Sequence, residues 1–253
     1  MSGTRSLDRA FLLLRVIAAA GQQGASLDDL RTAASCSQAT AYRLLQYLRK
    51  QGFVRPAAQR GRYELGYELF ALGAQAANAG GLRELARSAL LRLAQRFGDS
   101  FFLLVPDGYH VLCLDLLAGN QPVQSYSAAV GGRIPMGVGQ ASQVLLAHLP
   151  RAARNEILQH NQAALRLDYG LDAELIAASL DSVRRLGFAS GLGDRRLPGY
   201  TGLAVAIVDA GGQVLGALSC ALARPRMTEA RRRALALAMQ DEVRSLLMRR
   251  AAG

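Results

Sequence analysis

At 253 residues with 51% hydrophobic side chains, the chain has enough apolar material for one large core or two ordinary ones, which excludes global disorder. Its formal charge is +11 and Lys50 is its only lysine; such an arginine excess favours a polyanionic partner, because neutralising phosphates releases condensed counterions. Cys36, Cys113 and Cys220 are too scattered for a disulfide framework or a zinc motif, and no apolar run approaches the ~20 residues that span a bilayer.

The N-terminus has basic and apolar character, but Arg15 interrupts the apolar run, so an export signal is not expected and a cytoplasmic location is. Apolar residues at helical spacing (Leu7, Ala10, Phe11, Leu14, Ile17, Ala18) predict a helix over Ser6–Ala20, broken by Gly21 and Gly24. Ser26 then reads as an N-cap with Asp28 and Asp29 in the first turn, where the helix dipole favours acids; this second helix fades near Ala34. Ser37 is the next N-cap, followed by a core stripe of Ala41, Leu44, Leu45 and Leu48, with Gly52 as the stop.

Three helices with a tight second connection are the plan of a helix-turn-helix, whose last helix meets base edges with its N-terminal residues. The candidate readers are Ser37, Gln38, Ala39, Thr40, Tyr42 and Arg43. Gln bonds adenine and Arg bonds guanine bidentately, while Ala39 or the Thr40 methyl suits a thymine methyl. Phe53–Val54 and Tyr63–Leu65 read as two short strands around a Pro56–Gly61 loop: a wing that carries Arg55, Arg60 and Arg62 toward phosphate or the minor groove. The whole stretch Ser35–Arg62 contains no Asp or Glu, which a solvated surface alone does not explain. The partner expected is double-stranded DNA.

Tyr67–Asn78 predicts a linker helix ended by Ala79-Gly80-Gly81, and Leu82–Phe97 an amphipathic helix. Phe101–Val105 and His110–Leu117 read as strands around Pro106-Asp107-Gly108, with Gln121–Ala128 as a third candidate. Arg133–Leu149 starts irregularly and becomes helical; Arg151–His160 and Asp172–Leu186 are helices. Thr201–Val208 and Gln213–Leu222 form a hairpin around Asp209-Ala210-Gly211-Gly212, and Thr228 caps a last helix reaching about Arg250. This order predicts an α+β protein with an antiparallel sheet. The division expected is a winged helix-turn-helix over 1–66, a linker over 67–81 and a second domain over 82–253.

The segments SLDRAFLLLRVIAAAG, SQATAYRLLQYLRKQGFV and RGRYELGYELFALG resemble, in order, the first helix, recognition helix, wing and linker entry of the IclR-type transcriptional regulators, and the resemblance runs to the C-terminus. It implies a GAF-like C-terminal effector domain, a homodimer or homotetramer, and small carboxylated metabolites as effectors. The segment corresponding to the family's pocket is Pro135–Gln143, with Gly137, Val138, Gly139, Gln140 and Ala141 at its centre; Asp194, Thr201, Gly202, Ser219 and Ala221 are the other walls. Glycines there allow close backbone approach, and amides at a helix start favour an anion.

The chain departs from the family's pattern. The family often carries His at the position of Gly137, Gly-Lys at Ser142-Gln143 and a second serine at Ala221, and a polar residue near Gly202 is missing. The loss of polar groups leaves two readings: a more apolar pocket for an aromatic or larger acid, or a vestigial pocket in a repressor whose second domain serves only assembly. No enzyme is expected. His110, His148 and His160 have no nucleophile or carboxylate at motif spacing, and GxSxG, P-loop and HExxH patterns are absent. No cofactor or metal is expected.

Overall fold

The computed structural model describes residues 2–78, 81–121, 123, 125–126, 129–191 and 196–252. The chain divides into two compact units, Met1–Ala79 and Gly80–Gly253, so the linker helix belongs to the first unit.

In the first unit, α1 (Ser2–Ala20) leads through a short 3-10 turn and the two-residue β1 (Ala25–Ser26) into α2 (Leu27–Ala33). Ser26 and Asp29 form a reciprocal capping box: Asp29 N–H donates to the Ser26 hydroxyl, and Ser26 N–H donates to the Asp29 carboxylate at 2.9 Å. That backbone bond, first, lowers the Asp29 pKa, so the stabilisation it lends is present above the ordinary carboxylate range and lost as pH falls through the depressed value. The turn after α2 is a Schellman motif. Ser35 N–H donates to Thr32 O and Cys36 N–H to Arg31 O, with Ser35 at φ 44° in a place that glycine usually takes.

The helix α3 (Gln38–Lys50) starts where its cap predicts, Thr40 N–H donating to the Ser37 hydroxyl. It ends in a second Schellman turn, with Gly52 at φ 79°. Beyond it, β2 (Val54–Pro56) and β3 (Arg62–Leu65) pair antiparallel, Val54 opposite Leu65 and Pro56 opposite Tyr63. A feature unforeseen from sequence is that β1 adds to the other side of β3, Ala25 opposite Tyr63. The wing is therefore anchored to the helical layer by a three-stranded sheet. The core holds Leu13, Ile17, Leu30, Ala34, Leu45, Leu48 and Val54, each large aliphatic member being worth about 1.5–3 kcal/mol on burial.

One sequence expectation is corrected here. Leu7 and Phe11 are each 60% exposed and Ala18 faces out, whereas Leu13 and Ile17 are buried. The apolar run Phe11–Leu14 is compatible with two faces, and the core takes the one built on Leu13. The unit ends in α4 (Tyr67–Asn78), whose Tyr67 and Phe70 are exposed.

The second unit is a six-stranded antiparallel sheet covered by helices on both faces. Its strands are β4 (Ser100–Asp107), β5 (His110–Leu117), β6 (Arg133–Pro135), β7 (Ala189–Ser190), β8 (Tyr200–Val208) and β9 (Val214–Ala223), in the order β6-β5-β4-β9-β8-β7. Alternation along β4 divides the two cores. Phe101 and Leu103 join the layer of α5 (Leu82–Phe97) and α9 (Glu229–Ala252); Phe102 and Leu104 join that of α6 (Gly139–His148), α7 (Arg151–Ala164) and α8 (Ala173–Leu186). Arg92 grips Glu242 through two hydrogen bonds, at 2.8 and 2.6 Å, clamping α5 to α9. Thr228 caps α9 as expected, its hydroxyl accepting Arg231 N–H.

The expected strand Gln121–Ala128 is not found: its described residues are irregular, and the strand beside β5 is the short Arg133–Pro135. The α7 segment runs four residues past the expected His160, then passes into a π-turn, Leu165–Tyr169. Among the described residues no helix is long and apolar enough to cross a membrane.

Candidate nucleic-acid interface and ligand cleft

On α3 the buried positions Ala41, Leu45 and Leu48 hold the helix to the core, which leaves the opposite face outward. Ser37, Gln38, Ala39, Tyr42 and Arg43 are exposed and Thr40 is half-buried. Ser37 and Thr40 are occupied with each other: their hydroxyls lie 3.0 Å apart and the Ser37 oxygen caps the helix. They therefore position the first turn, and Gln38, Ala39, Tyr42 and Arg43 are the side chains presented. The same spacing that joins Ala39, Tyr42 and Arg43 continues to Gln46 and Lys50 on one stripe, and Tyr47 is 63% exposed beside it. The i, i+3, i+4 pattern of α3 places all three on its outward side, beyond the first turn that base reading alone points to.

The three wing arginines separate into two roles. Arg55 Nη2 lies 2.9 Å from Glu64 Oε1 on the facing strand, and its guanidinium sits 4.4 Å from the Tyr67 ring centre. Arg62 donates to Gly24 O at 2.8 Å and lies 3.8 Å from Asp29. Both brace the wing from within. Arg60, at the exposed tip, has no carboxylate partner among the described residues, and the same holds for Arg43, Arg49 and Lys50. Among the described basic residues of α3 and the wing, these four charges are free for a polyanion.

In the second unit a cleft lies where α6 begins, above the sheet. Its empty space, counted out into open solvent, is about 590 Å³. Of the expected residues, Val138, Gly139, Gln140, Ala141, Thr201, Ser219 and Ala221 line it. Gly137 and Gly202 do not. A Cβ at Gly137 would stand 2.9 Å from both Leu165 methyls, so this residue looks into the core. One at Gly202 would meet Cys220 O at 2.2 Å and Gln140 Oε1 at 3.1 Å, so that glycine makes room for neighbouring groups. Asp194 lies outside the described residues.

The electrostatics of the cleft come from backbone and hydroxyls. Val138 stands at the N-cap of α6 and provides no side-chain cap, and the first turn of the helix lines the cleft. Ser219 is only 7% exposed and lines the cleft. Phe102, Tyr126 and Tyr200 supply aromatic walls. Tyr126 packs edge-on to Tyr169, with 5.6 Å between ring centres, and its buried hydroxyl is unpartnered among the described residues. Sequence reasoning missed these rings because they come from β4, β8 and an irregular segment with no shared motif. Cys220 adds no reactivity, since burial pushes its thiol up to about 12. Among the described residues no cluster of His, Cys, Asp or Glu is arranged to hold a metal.

Family models match both parts of the chain. A model of the IclR helix-turn-helix domain matches residues 6–57, and one of the bacterial transcriptional regulator IclR C-terminal region matches residues 74–247. The HTH-type transcriptional regulator BhcR of Paracoccus denitrificans is 26% identical over 245 residues, covering 96% of this chain and 86% of its own. A glycerol operon regulatory protein of Streptomyces griseus is 29% identical over 215 residues, covering 85% and 83%.

Solved structures show the same fold. The IclR transcriptional regulator of Alicyclobacillus acidocaldarius has a TM-score of 0.80 at 21% identity, covering 96% of this chain and 97% of its own. An IclR homolog from Microbacterium hydrocarbonoxydans, complexed with 4-hydroxybenzoate, has a TM-score of 0.79 at 24% identity, covering 95% and 99%. With family models on the α3 segment and on most of the sheet-bearing unit, the chain belongs to the IclR family of bacterial transcriptional regulators, which are not enzymes.

Proposed function

We propose that the protein reads an operator with the exposed stripe of α3 and that a small organic acid in the C-terminal cleft modulates this binding. On this reading residues 1–66 are the DNA-binding domain, 67–81 the linker and 82–253 the effector and assembly domain of a cytoplasmic regulator. The observation that carries the first half is the unpaired cationic set Arg43, Arg49, Lys50 and Arg60 around Gln38, Ala39 and Tyr42. Arg43 and Gln38 contact bases, Arg60 takes phosphate at the wing tip, and Arg55 and Arg62 hold the wing in place.

Pairing of two copies is supported by apolar groups exposed on the first unit: Leu7 and Phe11 at 60%, Tyr67 at 71% and Phe70 at 76%. A two-fold dimer places two recognition helices about one helical turn apart on a near-palindromic site. Arg43→Ala is expected to weaken operator binding about 5- to 150-fold (~1–3 kcal/mol) while non-specific binding changes little, as read by gel shift against operator and scrambled duplexes. Equal weakening on both would make Arg43 a phosphate contact and end its role as a reader.

The second half rests on the Ser219 side chain, which lines the same cleft as the uncapped start of α6. A carboxylate bound there accepts first-turn amides and the serine hydroxyl, while Phe102, Tyr126 and Tyr200 suit an aromatic body. The bound 4-hydroxybenzoate in the Microbacterium structure supports the same ligand class. For regulation the acid must bind one quaternary state better than another; tight binding to both shifts nothing. In a thermal-shift screen benzoate-type acids are expected to raise the melting temperature and alter operator affinity. Ser219→Ala should lower that acid affinity about 10-fold, one charge-assisted hydrogen bond, without changing acid-free DNA binding. A screen in which no acid stabilises the protein leaves the second unit with assembly alone.

A further inference from the structure

We infer that the effector is a monocarboxylic acid with an apolar tail, and that the tail lies in a second cleft beyond Phe102 and Leu197. This rests on the acid-binding reading of the first cleft. The second cleft is lined by Leu116, Ala118 and Val123 together with Ser100, Asn120 and Gln121, and its empty space is about 1310 Å³ counted out to solvent. It shares Phe102, Ser125 and Leu197 with the first, so the two adjoin.

Sheet register gives the shared floor its direction. Phe102 pairs with Ser219 on one side and with Leu116 on the other, so these three residues form one cross-strand row. Two strand spacings, about 10 Å, separate the Ser219 end from the Leu116 end. A single-ring acid anchored at Ser219 ends short of that distance. Polar groups in the second cleft are partly engaged already: Ser100 Oγ accepts Gly119 N–H at 3.1 Å, and Asn120 N–H donates to Gly98 O at 3.2 Å. No charged side chain is among the described lining residues. What is left for a ligand is mainly the apolar surface of Phe102, Leu116, Ala118 and Val123, which takes a hydrocarbon segment, and among the described lining residues no cation is there to hold a second carboxylate.

Calorimetric titration of the full-length protein with benzoate, 4-propylbenzoate and 4-pentylbenzoate tests the assignment. Affinity is expected to rise about two- to fourfold for each buried methylene, and a tail ending in a second carboxylate should lose the gain. In Ala118→Trp, at an exposed position of the second lining, the ratio of pentyl to unsubstituted affinity should collapse to within about twofold of one. Gln121→Trp, also exposed, provides an independent check on the same ratio. If benzoate binds but the pentyl acid binds no tighter, or if both tryptophan variants leave the ratio unchanged, the tail site is overturned and the acid-binding reading stands. If none of the acids binds, the acid-binding reading falls and takes the tail site with it.

Discussion

Gly66→Ala is expected to cost the N-terminal unit about 3–5 kcal/mol, enough to unfold a winged helix of ordinary stability and abolish operator binding. A Cβ added at Gly66 would stand 1.9 Å from Gly52 O, 2.8 Å from Gly52 C and 2.9 Å from Phe53 C. All three obstacles are backbone, and none can rotate away as a side-chain tip would. Gly66 N–H also donates to Phe53 O at 2.8 Å, and Gly52 is itself held at φ 79° by the Schellman turn that ends α3.

The crossing of these two glycines therefore fixes where the recognition helix stops relative to where the linker helix starts. Moving them apart by about an ångström breaks that turn or the wing pairing beside it. Calorimetry and gel shift would read the effect: the N-terminal transition and DNA binding should be lost, while acid-induced stabilisation of the second unit remains. A variant that melts and binds as the parent does would show that the crossing relaxes at little cost.

Local signals made the recognition helix legible. Ser37 caps it, Gly52 stops it, and the Ala41–Leu48 stripe has a single helical solution, so its boundaries and outward face follow directly. The first helix had no such uniqueness, because four adjacent apolar residues, Phe11–Leu14, leave the buried face undetermined until α2 and α3 pack. The strand Ala25–Ser26 has no pattern of its own; it exists because β3 offers it a partner. Arg55 and Arg62 looked free since Ser35–Arg62 holds no acid, yet their partners Glu64 and Asp29 lie just outside that stretch. In the cleft the α6 segment and Ser219 were readable from the family pattern. The aromatic walls were not, because cross-strand register and not sequence spacing brings Phe102 beside Ser219.

Asp99→Ala is expected to destabilise the second unit by about 3 kcal/mol and to weaken acid binding as well. The Asp99 side chain has no solvent exposure and is held at 2.7 Å by both Arg226 and Arg231, while Arg231 also donates to Phe97 O at 2.7 Å. Removing the carboxylate leaves two guanidiniums facing each other. Breaking a buried ion pair in this way costs about 3–5 kcal/mol, and the partial exposure of both arginines places the loss near the lower end.

The same turn reaches the cleft. Arg224 N–H donates to Gly199 O at 2.9 Å and Arg224 Nε to Pro198 O at 3.0 Å, and the residues flanking that pair, Leu197 and Tyr200, line the ligand space. Asp99 is thus a positioning residue: through Arg226 it holds the Arg224–Arg226 turn, and through Arg231 it ties that turn to the start of α9 and the end of α5. Asp99→Asn, which keeps the shape and one acceptor, should recover part of the stability and more of the acid affinity than alanine does. Chemical denaturation measures the first and calorimetric titration the second. If Asp99→Ala lowers stability but leaves acid affinity at the parent value, the clamp is purely structural and the Leu197–Tyr200 wall is held by other contacts.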